Sequence, residues 1–419
     1  MKNIFFISVF LLSCLLSAQS KKDYLTKNRF NLESSNFNFP EKNFKIIGFG
    51  AYHGSVKTEI VEHKLLKSLT KDGIIKYYLP ETDFSLGHYF NKFLKTGDTT
   101  LLKDLVIHSG TRVPQERTIE TFNKWKTLKA LNDTLKEANK LKVVGIDLLV
   151  TYKYTIKHLL ELVESKDKFK SPLNSLKQII ELDTTDYSIR YESYSKKTLK
   201  AFVNDYEKNA KNYIILDENK TIIDHLINNI KVTFTDFSRK REPTIYNNYI
   251  SLNDLYDFKN NAQFLRFGFS HIEKSREGKD DYPYFFTLLI ENNIYKREDV
   301  ISIIGYLTKS RVLWDELYDN EGHYKNYTTE GGFGIGDYEK EYFRGIDNLK
   351  ASKLSSITLF KLNSKNTPYS DGFPDLIDVI MEDEASNSNA VKGMSTTEFI
   401  DYAILISNSK ASKPIFEKQ

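Results

Sequence analysis

Two short apolar runs, more than two hundred residues apart, lead into nearly the same phrase: Ile46-Ile47 runs to Phe49-Gly50-Ala51-Tyr52-His53, and Phe264-Leu265 runs to Phe267-Gly268-Phe269-Ser270-His271. Each apolar run reads as a buried strand, and each phrase places a histidine three residues past a glycine, where strand gives way to loop. Glycine there permits a turn with positive φ or the close approach of a ligand. In a sheet with helices on both faces, such strand ends open on the crevice where ligands bind.

The rest of the chain supplies those helices. Residues 44–49 and 74–79 are predicted strands, with helical spacing through Ile60, Leu65, Leu66 and Leu69 between them. A helix is predicted over 84–94, closed by Gly97-Asp98, and a long charged one over 119–141. The latter leads into Val143-Val144-Gly145-Ile146-Asp147, a third buried strand with an acid at its end. From Tyr152 to about Phe258 the pattern is almost wholly helical, and strand patterns resume at 263–268, 300–306, 356–362 and 402–406. Residues 322–345, rich in Gly, Tyr and Asn, read as a long irregular loop or hairpin. The expectation is an α/β fold: a central, mostly parallel sheet flanked by helices, in two related halves with a large helical insertion at about 152–258. It occupies a single domain over 42–419, after a polar leader at 19–41.

Residues 1–18 read as a signal peptide: Lys2 forms the basic region, Ile4 to Leu12 the apolar region, and Leu16-Ser17-Ala18 a cleavage site. The apolar run is too short for a membrane span and no later stretch is long enough, so the expected protein is exported, periplasmic or extracellular. The only cysteine, Cys14, lies inside this segment in a loose lipobox-like context, and the pattern favours cleavage after Ala18 over lipid anchoring. The mature chain then has no cysteine, which excludes disulfides, thiolate nucleophiles and cysteine-bound zinc. A net charge of +4, with lysines and acids interspersed, leaves no nucleic-acid footprint.

Glu81 ends the run Ile74 to Pro80 and joins His53 and His271 as the candidate site. Two imidazoles and a carboxylate from strand ends suit a catalytic divalent metal ion with an open water position. The same trio suits metal-free hydrolysis, one histidine taking a proton from water while the acid orients its ring. Glu81 competes with a helix-capping role beside Asp83, and Asp147 is balanced between ligand binding and capping. Arg241, in Arg239-Lys240-Arg241-Glu242, lies on a solvated face or brings a fixed positive charge to an oxyanion, with Asn247 further along its helix. Glu59 and Glu62 follow His53 closely, on a helix whose acids are expected mostly at the surface. His63, His88, His108, His158, His225 and His323 are expected to be structural or exposed.

The string Ile47-Gly48-Phe49-Gly50-Ala51-Tyr52-His53-Gly54, then Leu79-Pro80-Glu81 and Gly145-Ile146-Asp147, resembles the erythromycin esterase-like proteins and the broader superfamily that includes the ChaN haem-binding and Tiki/TraB proteins. The likeness extends to residues 89–98, to Arg241-Glu242-Pro243-Thr244-Ile245-Tyr246-Asn247-Asn248 and to Gly268-Phe269-Ser270-His271, and so covers most of the chain in order. It implies a hydrolytic pocket built from His53, Glu81 and His271, acting on a small-molecule or peptide-like substrate. Erythromycin esterases carry a glutamate where this chain has Gly50 and a further histidine where it has Gly268. Both positions match the G-x-x-H form of the Tiki/TraB branch, which turns the expectation toward a metal-assisted or non-esterase role. The ChaN resemblance implies as alternative a haem or metal ligated by Tyr52, His53 or His271 without catalysis.

Overall fold

The computed structural model describes residues 20–417 apart from 72, 167–170, 184–185, 238, 280–281, 332–336, 339–340 and 382–385. The expected signal segment and Cys14 lie outside the described residues. Eight strands form one sheet: β1 (Arg29–Asn31), β2 (Ile46–Ala51), β3 (Tyr77–Pro80), β4 (Lys142–Val143), β5 (Gln263–Phe267), β6 (Val300–Thr308), β7 (Ile357–Lys361) and β8 (Tyr402–Ser407). Their order is β1-β7-β8-β6-β2-β5-β3-β4. From β8 to β4 every neighbouring pair is parallel; β7 is antiparallel to both of its neighbours, so it alone runs the other way. The strands that precede the two histidine phrases are therefore direct parallel neighbours.

The central strands are buried on both faces, as their unbroken apolar runs require. On β2, Ile46 packs into one core layer while Ile47, Phe49 and Ala51 pack into the other, the period of two that a strand imposes. Five helices, Tyr152–Leu162, Pro172–Leu182, Tyr194–Asn209, Lys220–Val232 and Arg241–Tyr256, follow one another between β4 and β5 and account for the helical pattern there. No helix among the described residues is long and apolar enough to cross a membrane.

Two predicted elements are shorter than their patterns. The helix starting at Ile119 ends at Asp133, where Asn132, Asp133 and Thr134 are weak helix formers and Asn132 Oδ1 turns back to accept the Leu141 N–H at 2.8 Å. The strand predicted over 143–147 pairs only through Val143, because from Gly145 the chain passes directly against the Thr82-Asp83 backbone, with Asp147 N–H donating to Thr82 O at 3.1 Å. A Cβ on Gly145 would lie 1.9 Å from Asp83 O. Gly145→Ala therefore forces two backbone segments apart and is expected to cost about 3 kcal/mol, read as a lowered urea midpoint at unchanged m value. Of the stretch 322–345, Tyr324–Glu330 forms a hairpin with Val312–Tyr318. Residues 332–336 and 339–340 lie outside the described residues.

Candidate active site

The register aligns the three strand ends. Gly50 on β2 sits opposite Phe267 on β5, and Arg266 on β5 sits opposite Pro80 on β3, so His53, Glu81 and His271 leave neighbouring strands at one edge. Neither Gly50 nor Gly268 has a positive φ. Gly50 is needed for close approach instead: a Cβ there would meet Ile272 Cδ1 at 3.0 Å and the Phe269 Cα at 3.1 Å, so the second histidine loop packs directly on the first strand. Gly268 contributes its backbone N–H, which donates to Glu81 Oε2 at 2.9 Å.

A continuous chain of polar contacts joins the histidines. Glu116 Oε1 lies 2.5 Å from His53 Nδ1, and His53 Nε2 lies 3.3 Å from Glu81 Oε2. Glu81 Oε1 accepts from Arg241 Nη2 at 2.5 Å, and Arg241 Nη1 donates to His271 Nε2 at 3.1 Å. Because a guanidinium only donates, Nε2 of His271 accepts and its ring proton sits on Nδ1, 2.6 Å from Glu242 Oε1 though without the alignment of a hydrogen bond. Asp147 grips Arg241 from the other side, Oδ1 accepting from Nε at 3.1 Å and Oδ2 from Nη2 at 2.7 Å. Four of the five guanidinium N–H donors are thus used among the described residues, which leaves one for an oxygen of a bound molecule.

These contacts decide the sequence alternatives. Glu81 is not a helix cap; Asp83 caps the Phe84–Thr96 helix by accepting the Leu86 N–H. Asp147 serves Arg241, which lies at the start of the Arg241–Tyr256 helix and points inward rather than onto a solvated face. Asn247 is exposed; its neighbour Asn248 is the buried one, donating to Ile146 O at 3.0 Å and Asp147 O at 3.3 Å. Glu59 and Glu62, expected mostly at the surface, are both buried: Lys124 Nζ lies 2.7 Å from Glu59 and 2.9 Å from Glu62. Beside them His53, Glu116, Lys124 and Arg266 line a cavity of about 40 Å³, room for a water or two.

Electrostatics follow from this crowding. Burial by itself would raise the Glu81 carboxyl, but Arg241 and the bond from His53 hold its pKa well below the usual carboxylate range. Burial likewise opposes charge on His53, yet Glu116 and Glu81 outweigh it and lift the ring to about 9. Burial, only partly offset by Lys124, pushes Glu59 up to about 7.

The expected metal set does not fit this arrangement. Glu116 takes one nitrogen of His53 and Arg241 takes Nε2 of His271, and the guanidinium stands between Glu81 and His271 where a cation would be repelled. Among the described residues no group of three or more His, Cys, Asp or Glu side chains is placed to hold a metal ion. A haem iron would find Nε2 of His271 already taken by Arg241. Sequence reading missed Glu116 and Glu242. Glu116 ends the Pro114–Glu116 turn between two helices, with no strand before it to signal a site; Glu242 stood inside a charged run whose inward face only the fold defines.

No family model and no curated protein matches the chain by sequence. Solved structures do match in fold. A protein described as a succinoglycan biosynthesis protein superposes with a TM-score of 0.60 at 16% identity, over 95% of this chain and 100% of its own. A structural-genomics protein from Bacillus cereus gives 0.58 at 15% identity, over 94% and 98%. A mutant erythromycin esterase in its open conformation gives 0.55 at 11% identity, over 90% and 93%. The chain shares its α/β fold with these three proteins.

Proposed function

We propose that this protein is an exported hydrolase of small ester-like or peptide-like substrates, with His53 as the general base. The observation that carries the reading is the short Glu116–His53 contact at a strand end, beside a buried carboxylate–guanidinium pair. Glu116 fixes the ring, neutral His53 takes a proton from the attacking water through Nε2, and the spare Arg241 N–H meets the oxygen on which negative charge develops. The likeness in fold to an erythromycin esterase supports the reaction class and leaves the substrate open.

The elevated pKa sets the test. A base titrating near 9 is mostly protonated at neutral pH, so kcat/KM for 4-nitrophenyl acetate is expected to climb about tenfold per pH unit and level off near 9. Glu116→Gln removes one of the two carboxylates that favour the charged ring. Its profile should level off at lower pH, about one unit or more, with a reduced plateau. A profile that falls as pH rises toward 9, or one that Glu116→Gln leaves in place, overturns the assignment of His53 as base. Export is checked separately by intact mass: secreted material should begin at Gln19.

A further inference from the structure

A second cavity, of about 470 Å³, lies between the Phe84–Thr96 and Tyr152–Leu162 helices and the amino end of β4, and shares no lining residue with the chain from Glu116 to Glu242. Its wall is a column of rings. His158, only 2% exposed, stacks on His88 at 4.0 Å and 18°, and on Phe84 at 5.7 Å and 23°.

The polar end of His158 is specific. Its Nδ1 lies 3.3 Å from Ser85 Oγ, and Ser85 has no other side-chain partner among the described residues; with the hydroxyl donating to Nδ1, the ring proton sits on Nε2. Nε2 has no protein partner among the described residues, and His158 lines the cavity. Burial and the neighbouring His88 keep this ring neutral at physiological pH, with its pKa pushed down to about 3. It therefore offers a hydrogen bond and no charge.

Charge comes from the lysines around it. Lys95 has no carboxylate partner among the described residues, and Lys142 only faces the Tyr256 ring, its Nζ 4.7 Å from the centroid. Lys92 shares Glu161 at 3.3 Å, and that carboxylate is already engaged by His88 and Tyr89. Three ammonium groups against one carboxylate leave two positive charges uncompensated beside a flat aromatic wall.

We infer that this cavity binds a phosphate monoester of an aromatic or heterocyclic alcohol, the phosphoryl oxygens meeting Lys95, Lys142 and the His158 Nε2–H while the ring lies against Tyr256. A phosphate monoester brings the two negative charges the lysines lack, and its ring finds the aromatic face.

Isothermal titration of the full chain with phenyl phosphate, inorganic phosphate and phenol tests this. Phenyl phosphate should bind with a Kd of about 1 mM or tighter at low salt, well ahead of the other two. Lys95→Glu with Lys142→Glu, both at exposed positions, should weaken it at least about tenfold, as should 0.5 M salt, roughly several Debye screenings of the rim charge. Hydrolysis of 4-nitrophenyl acetate should be unchanged in that variant, which shows that it folds. No binding of phenyl phosphate, binding unaffected by the double substitution, or equal binding of inorganic phosphate or phenol overturns the inference.

Discussion

Replacing Arg241 with alanine should unfold the protein more readily by about 3–5 kcal/mol at pH 7 and abolish hydrolysis, because it removes the one cation that two buried carboxylates share. Asp147 would keep Arg112 at 3.5 Å, but Glu81 would keep only a backbone N–H and His53. The pH dependence separates this from ordinary loss of packing. Glu81 has a depressed folded-state pKa, so its contribution is present above the ordinary value of 4.5 and fades as pH falls through the lower folded value. The variant lacks that contribution, so its deficit relative to wild type should be largest near neutrality and narrow below about pH 4.5, where a carboxyl can take a proton instead. Arg241→Lys should rescue little, since an ammonium cannot hold Asp147 through two donors while reaching Glu81 and His271. Urea unfolding at pH 4 and pH 7 reads both effects; a deficit equal at the two pH values would show that Arg241 contributes packing rather than charge.

His53→Ala should lower kcat/KM for 4-nitrophenyl acetate by about 10²–10⁴. It also predicts a stability signature independent of any substrate. The folded-state pKa of His53 is raised from 6.5 to about 9, so its stabilisation is fully present below pH 6.5 and is lost as pH rises through 9. Across that window wild type should lose about 3 kcal/mol that the alanine variant does not lose. Thermal or urea unfolding at pH 6 and pH 9.5 gives the comparison. Parallel curves for the two proteins would mean that the ring is not held charged between Glu116 and Glu81.

The strands that deliver the site were legible because their signal is local. Ile46-Ile47, Tyr77-Tyr78-Leu79 and Phe264-Leu265 are unbroken apolar runs, and a residue just past such a run must emerge at the sheet edge. His53, Glu81 and His271 follow from that rule alone. Which strands are neighbours is set by long-range pairing, and with it the fact that Arg241 stands between Glu81 and His271 and displaces the metal reading. Glu116 was invisible for the same reason: its role exists only because the Pro114–Glu116 turn lies against the first histidine loop, with Gln115 Nε2 bonding Trp314 O and Leu313 N–H bonding Gly54 O. Charged residues on helices carry an equally weak local signal. Glu59 and Glu62 read as surface acids until Lys124, from a helix sixty residues away, is seen to stand between them.

Arg241 and Glu242 open the last helix of the long excursion between β4 and β5. That excursion cannot be an appendage that a shorter relative could shed while keeping the same chemistry, since trimming it back to the sheet would carry off the cation and the carboxylate behind His271 together. It also makes the five-helix segment a lever arm. A substitution where the Lys220–Val232 helix meets the Arg241–Tyr256 helix, at Asn229 for example, which bonds Asn248, acts on the seat of the guanidinium without touching the sheet, so selection has a chemically silent contact through which to retune the site one small displacement at a time.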